Sequence, residues 1–464
     1  MSFLRPFEGY LVAPASVAEI VAPPSDTMTP LERRRCADAN PRSYLNAMRD
    51  AFDGDDDDID ADADVQIDPD PRRRAAILEG NRCFVQGYID RGDFIPQPPC
   101  LFIYRLRLGS HSQYGVVGEI ALESLRRGRI KRHEHTRLSR EAALADYLDK
   151  VRFASSPVCL AFRSETDHGS AIRAMMEART HRDPLISFTD PDGVSHTIWR
   201  IEGSAAQGLI RAFERVPEVY ITDGHHRCAA LERAAGGLKG SNEARLLAAL
   251  FPADALRILP YHRLLRDLGP RFDTRPDELL RHLAQIGEGS SGQGKGVDTA
   301  SSNAADPRAL PAKQARPKKP KEYALFLDER WYRFRFPPSP DRPPISGDGI
   351  DGSEDPAGAL DVSILQRDIL DPIFEIADPR SDPRLGYVAA KPSEKAGEGM
   401  AHLADACRSG WRAAIALHAV TIDDLIRVAD AGAVMPPKST WFDPKPRSGF
   451  FLHRPLRKLK DSGV

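Results

Sequence analysis

The sequence predicts an α+β fold built around a mixed sheet. Three observations point there. Short apolar runs rich in β-branched and aromatic residues recur along the chain, notably Leu101 to Leu108, Ser155 to Phe162 and Ala244 to Phe251. Helix-spaced segments fall between them without strict strand-helix alternation, which favours α+β over a doubly wound sheet. One stretch, Val219-Tyr-Ile-Thr-Asp-Gly-His-His-Arg-Cys-Ala-Ala-Leu-Glu-Arg-Ala234, reads as strand, tight turn and helix in immediate succession.

The chain has 464 residues, enough for two or three domains or one elaborated α/β domain. Lys+Arg 65 against Asp+Glu 67 leaves a net charge of −2, so no overall basic field makes nucleic acid an expected partner. Cysteines 36, 83, 100, 159, 228 and 407 are scattered without a C-x-x-C pair, which fits reduced thiols and no cysteine-based structural zinc. No basic segment precedes an apolar core at the N-terminus, and no run of roughly 18 apolar residues occurs. A cytoplasmic protein without membrane association is expected.

Taken in order, Phe3 to Ala22 mixes short apolar runs with Arg5, Pro6 and Gly9 and reads as loop. Leu31 to Cys36 is helix-like, and Asn40-Pro41 to Leu45 ends it and opens an extended piece. Asp53 to Asp64 crowds carboxylates into a mobile acidic loop that lacks the central Gly and closing Glu of a calcium loop. Arg72 to Asp90 is a helix. Leu101 to Leu108 and Tyr114 to Leu122 form a hairpin around Gly109-Ser110, and a helix starts near Ser139. Ser187 to Ile201 is a second hairpin turning at Asp190-Pro-Asp-Gly193, with His196 as a strand residue. Helices at Ala171 to Arg179 and Gly208 to Glu214 and strands at Ala244 to Phe251 and Leu256 to Leu265 complete this part.

Residues 286–321 change character to Gly, Ser and Ala and then a Pro/Lys-rich end, the composition of a disordered linker or insertion. The expected organisation is therefore an N-terminal α+β part over 1–285, this linker, and a C-terminal α/β part over 322–464 that completes the site. In that last part Glu322 to Phe336 is a hairpin around Asp328-Glu329 and Asp361 to Ile376 a helix interrupted by Pro372. Trp411 to Val420 is a strand, and Ile422 to Ala431 a helix closed by Gly432.

Three polar clusters stand out. Asp223, Gly224, His225, His226 and Arg227 sit where a helix begins, so unpaired amides, the positive dipole end, an Arg fork and two imidazoles suit a phosphate. His133, Glu134 and His135 form the second. If extended, they alternate faces; as a loop, all three can converge, and Glu134 can then serve as a general base toward a hydroxyl. Lys438, Ser439, Thr440 and Lys445 supply the hydroxyls and ammonium groups that would complete an anion pocket. His133, Arg137 and Asp26 are candidate substrate contacts. No set is assigned as metal ligands, because the His spacing matches no familiar zinc pattern.

Six ordered motifs resemble the proteins grouped as domain of unknown function 1015. They are Ala22-Pro-Pro-x-Asp26, Asn40-Pro41, Arg132-His-Glu-His-Thr-Arg137, Ile221-Thr-Asp-Gly-His-His-Arg227, Leu259-Pro260 and Met435-Pro-Pro-Lys-Ser-Thr-Trp-Phe-x-Pro-Lys445. The acidic loop and the linker look like insertions in this member. The Asp-Gly-His-His-Arg element is also similar to the phosphate-gripping turn of the ParB/sulfiredoxin superfamily, in which free-serine kinases carry a very similar run. That resemblance implies a ParB/sulfiredoxin-like nucleotide-binding core.

The implied function is a nucleotide-dependent phosphotransferase acting on a small hydroxyl substrate such as free L-serine, using ATP or another nucleotide with Mg2+. In it, Gly224 to Arg227 hold the phosphates while Asp223 orients the His pair or a metal-bound water. Lys438, Ser439 and Lys445 close over the polyphosphate, Glu134 accepts the acceptor's proton, and Asp223, His226 and Glu134 form the catalytic set. Two other classes stay open: a regulatory protein that binds a nucleotide without turnover, and a metal-dependent hydrolase using His133, His135, His225 and His226.

Overall fold

The computed structural model describes residues 2–24, 28–50, 70–236, 244–289, 310–336, 355–390 and 400–456, and divides into two compact units. The first comprises 1–257 together with 444–464, the second 258–443. These boundaries depart from the expected ones: the first unit closes before Ile258, and the C-terminal tail returns to it. Cys100, Cys159 and Cys228 are buried, and no described cysteine forms a disulfide. Among the described residues no helix is long and apolar enough to cross a membrane.

In the first unit the strands are β1 (Leu4–Arg5), β2 (Gly9–Val12), β3 (Phe94–Pro96), β4 (Leu101–Leu108), β5 (His111–Ala121), β6 (Ile130–Lys131), β7 (Val158–Phe162), β8 (Ile186–Thr189), β9 (Ser195–Ile201), β10 (Val219–Asp223) and β11 (Arg245–Pro252). The helices are α1 (Val17–Ile20), α2 (Pro30–Ala39), α3 (Pro71–Asp90), α4 (Glu123–Arg126), α5 (Leu138–Val151), α6 (Asp167–Glu177), α7 (Gly203–Glu214) and α8 (His225–Gly236). The main sheet has the order β6-β10-β7-β11-β5-β4-β9-β8, with β1 on β5. Parallel pairs (β10 with β6, β11 with β7) occur among antiparallel ones, so the fold is α+β with a mixed sheet.

Both faces of this sheet are covered, which explains the strand patterns. Leu101 and Ile103 of β4 and Leu246, Ala248 and Leu250 of β11 join one apolar cluster. Phe102, Tyr104, Leu106, Leu247, Ala249 and Phe251 join the other. With a core on each side, β11 is buried from end to end and reads as a continuous apolar run. The residues between Phe3 and Ala22, expected as loop, instead form β1, β2 and α1. Their partners are far away in sequence: β1 pairs β5, and β2 lies between β3 and a strand at Phe451–His453. The piece after Asn40 is likewise a short 3-10 helix, Tyr44–Met48, capped by Ser43, and not extended.

The second unit contains β12 (Ile258–Leu259), β13 (Tyr261–Leu265), β14 (Glu322–Leu327), β15 (Arg330–Arg335), β16 (Leu385–Ala389), β17 (Ala413–Leu417) and β18 (Trp441–Phe442). Five of these form a sheet in the order β15-β14-β17-β13-β16, and β12 pairs β18. The β14–β15 turn places Asp328 and Glu329 at φ 49° and 60°, the left-handed pair that a two-residue hairpin requires. Arg412 and Arg408 bind their carboxylates at 2.5 and 2.6 Å. The helical run after Asp361 breaks into Asp361–Leu365, a π turn at Gln366–Leu370 and Asp371–Phe374, as Pro372 cannot donate to the preceding turn. The expected linker is partly ordered: the helix Pro276–Gly289 runs past 286 and Ala312–Ala315 forms one turn, while 290–309 and the acidic stretch 53–64 lie outside the described residues.

A buried polar relay anchors the returning tail in the first unit. Tyr104 Oη lies 2.8 Å from His196 Nδ1, His196 Nε2 lies 3.0 Å from Asp190, and Arg447 Nε donates to Asp190 at 2.8 Å. Arg447 also reaches Asp192 at 2.6 Å. The Asp190 and Arg447 side chains are 6% and 8% exposed, so removing the guanidinium leaves a buried charge uncompensated. Arg447→Ala is expected to cost about 3–5 kcal/mol in urea unfolding, whereas the surface change Arg127→Ala, whose Glu123 pair is exposed, leaves the midpoint nearly unchanged.

Candidate functional site

The site grows from β10 and α8. Val219 to Ile221 are fully buried between β6 and β7, and the register shifts between Ile221 and Asp223, where a bulge re-aims the last strand residue. Gly224 then turns the chain at φ +103°. A side chain there is strained by that angle, and its Cβ would also lie 3.0 Å from the Arg227 guanidinium, which would have to give way. Helix α8 starts at once, and its first intrahelical bond runs from the Cys228 N–H to the Gly224 carbonyl at 3.1 Å. The amides of His225, His226 and Arg227 precede that bond, at the positive end of a three-turn helix. The sequence-predicted strand, turn and helix are therefore all present.

Asp223 is braced between two cations. One oxygen meets Lys445 Nζ at 2.8 Å and the other the Arg227 guanidinium, whose Nη1 also donates to the Pro157 carbonyl at 2.5 Å. The Asp223 and Lys445 side chains are only 15% and 11% exposed. The sequence reading has Asp223 orient the His pair or a metal-bound water; here its two oxygens engage Arg227 and Lys445. The Pro157 carbonyl has no signature in the sequence. Its presence follows from β7 running antiparallel to β10, which puts the start of one strand beside the end of the other.

Because β6 runs parallel to β10, with Val219 opposite Ile130 and Tyr220 opposite Lys131, the chain after Lys131 emerges beside the Asp223-Gly224 turn. The segment 132–137 is a loop, which decides between the two readings of His133, Glu134 and His135. It is pinned along its length. Arg132 bonds Glu232 of α8, Thr136 bonds Glu141 of α5, and the Arg137 N–H donates to His226 Nε2 at 3.1 Å. His226 thus serves as an acceptor that holds the loop.

His133 and His225 face each other edge to face, ring centroids 4.6 Å apart, and Glu134 Oε2 lies 3.7 Å from His225 Nδ1. His133 is 1% exposed and His225 6%. Burial pushes the His133 imidazole down to about 4, with the Ile221 carbonyl working against the shift without reaching hydrogen-bond geometry. Burial likewise takes His225 well below its ordinary value, helped by His133, His226, Arg132 and Arg227 around it. Burial also raises the Cys228 thiol to about 12, so this cysteine in the motif is no nucleophile.

Arg137 is half-buried in the loop and His135 is exposed, so the four-histidine set of the hydrolase reading is not assembled; Glu134 takes a place beside His133 and His225 instead. Lys438, Ser439 and Thr440 belong to the second unit. There Lys438 turns at φ +53°, its carbonyl accepts from Arg263 at 3.3 Å, and its ammonium lies 5.3 Å from the Tyr261 ring centre. The Ser439 hydroxyl donates to the Pro436 carbonyl at 2.7 Å, a local turn role. Asp26 lies outside the described residues.

The buried His133 imidazole makes stability depend on pH. Its folded value of about 4 lies below the ordinary 6.5, so the unfolded chain takes up the proton first. Its contribution is complete above about pH 6.5 and drains away as the pH falls toward about 4, amounting to about 3 kcal/mol. Tm measured across that window should fall less steeply for His133→Asn than for the parent; equal slopes contradict the buried neutral imidazole.

Comparison with solved structures finds weak likenesses. A free serine kinase in complex with AMP shares 11% identity at a TM-score of 0.32, covering 70% of this chain and 86% of that one. A conserved hypothetical protein from Pyrococcus furiosus shares 12% at 0.31, over 72% and 94%. SbnI with a C-terminal truncation, from Staphylococcus aureus, shares 9% at 0.32, over 72% and 85%. Likenesses of this order carry no functional argument. No curated protein matches the chain. The family model described as protein of unknown function (DUF1015) matches residues 4–363, which takes in the Arg132–Arg137 loop and the Asp223–Arg227 turn but stops short of Met435–Lys445. On that match, the chain belongs to the DUF1015 family.

Proposed function

We propose that the first unit binds the phosphates of a nucleotide at the Gly224 turn and transfers a phosphoryl group to a small hydroxyl substrate, free L-serine being the sharpest version. The observation that carries the reading is the left-handed turn that sets the α8 amides and the Arg227 guanidinium at the sheet end from which the Glu134 loop also emerges. Phosphoryl transfer needs positioning and charge neutralisation more than covalent chemistry, and this end of the sheet supplies groups for both. Gly224 lets the backbone approach the phosphates, Arg227 and Lys445 supply positive charge, and Glu134 accepts the proton of the attacking hydroxyl. A magnesium ion would neutralise phosphate charge and would arrive held by the phosphate oxygens and water, since Arg227 and Lys445 already engage both oxygens of Asp223.

Asp223 favours one rival. Both oxygens of Asp223, one of the expected catalytic residues, are engaged in bracing Arg227 and Lys445, as in a clamp that binds a nucleotide without turning it over. Glu134→Gln separates the two readings. Its side chain is 40% exposed, so the fold tolerates the change. With labelled ATP, magnesium and a panel of hydroxyl amino acids, the enzyme reading expects transfer to drop by about 100-fold or more while nucleotide binding is retained. Absence of any transfer or hydrolysis by the parent, with nucleotide bound, leaves only the clamp.

Gly224→Ala tests the cradle itself. The substitution forces a side chain into φ +103° and against Arg227. Equilibrium binding of ATP should weaken by about tenfold or more, because the added methyl group displaces the Arg227 guanidinium and crowds the approach to the α8 amides. Unchanged affinity in a folded variant places the phosphates elsewhere.

A further inference from the structure

We propose that His133, Glu134 and His225 form a binding site for a transition-metal dication of the Zn2+ class. One donor atom from each residue lies within 4.8 Å of the others. Glu134 Oε2 and His225 Nδ1 are 3.7 Å apart, too far for a hydrogen bond and close to the spacing of two ligands on one ion. With metal-nitrogen and metal-oxygen bonds of about 2.0–2.2 Å, tetrahedral ligands sit roughly 3.3–3.5 Å from one another. Donors within 4.8 Å of one another draw to that spacing by small side-chain rotations.

The second observation is what surrounds the imidazoles. Both ring nitrogens of His133 are buried without a hydrogen-bond partner among the described residues. Buried polar nitrogens left in this way are costly, and native proteins keep them where something else uses them. The ring of His133 meets that of His225 edge to face at 89°, with centroids 4.6 Å apart, so the two imidazoles lie next to each other without stacking. The loop is held by Arg132, Thr136 and the Arg137 amide, and His225 by the first turn of α8, so the donors are organised before any ion arrives.

The donor set selects the ion. Two imidazoles and one carboxylate suit Zn2+, Co2+ or Fe2+, whereas Mg2+ and Ca2+ require oxygen ligands. Three protein ligands leave a coordination position open, the arrangement of a reactive centre in place of a closed structural one. Ligation through Oε2 uses one of the two Glu134 oxygens and leaves the other able to accept a proton. The metal site goes beyond the nucleotide reading and requires no nucleotide.

Full-length protein is stripped with chelator and dialysed against micromolar Zn2+ in the presence of millimolar Mg2+. One equivalent of Zn2+ per chain is expected, and Co2+ in its place should give visible ligand-field absorption. His133→Asn and Glu134→Gln should each weaken Zn2+ by about tenfold or more and abolish the Co2+ bands, while His135→Asn, the exposed neighbour, binds like the parent. The proposal is overturned if the parent retains no Zn2+, or if Glu134→Gln, folded by circular dichroism, binds Zn2+ as tightly as the parent. ATP affinity of the metal-free protein is scored apart, so a failure there bears on the nucleotide reading alone.

Discussion

Strands β6 and β10 are adjacent and parallel, so the chain leaves both at one end of the sheet. That single pairing delivers two separate stretches, 132–137 and 223–227, to the same place, and the chemistry of the first unit depends on it. Open sheets containing parallel strands concentrate ligands beyond the carboxyl ends of those strands, since the loops and the helix starts gather there. Gly224 completes the constraint. Its positive φ lets the helix begin immediately after the strand, which keeps His225 next to His133 and folds Arg227 back over the turn.

Charge is distributed across this end in two distinct compartments. On one side of the turn Asp223, Arg227 and Lys445 form a compact ionic group with one surplus positive charge, partly open to solvent. On the other side His133 and His225 are desolvated and neutral, with Glu134 at their margin. The first suits hard, anionic oxygen chemistry. The second is nitrogen-rich and shielded from water.

The returning tail matters as much as the motif. Lys445 reaches Asp223 across 222 positions of sequence, and Arg447, two residues on, is locked into the Asp190-His196-Tyr104 relay. Each member of that buried relay is hydrogen-bonded to the next, so it rigidifies the segment that carries Lys445. Tail and site are one mechanical piece: the strand Phe451–His453 pairs β2, and His453 Nδ1 lies 3.0 Å from buried Glu119.

Much of the fold is readable from local pattern. The hairpins at Gly109-Ser110, Asp190-Gly193 and Asp328-Glu329, the strand-turn-helix at Asp223 and the α3 helix rest on turn chemistry and periodicity, which act over a few residues. Local pattern misses β1 and β2, whose stability comes from partners remote in sequence, and it places the unit boundary too late because it cannot see a tail that returns. At the site, sequence alone determined the strand-turn-helix: Gly224, Arg227 and a helix start are adjacent in the chain and their geometry is set by neighbouring dihedrals. Only the tertiary structure decided that Asp223 braces Arg227 and Lys445, that His226 holds the Arg137 amide, and that His133, Glu134 and His225 converge while His135 faces outward. Several of those contacts join residues about 90 to 220 positions apart. They are set by strand order and burial, which no window of neighbouring residues contains.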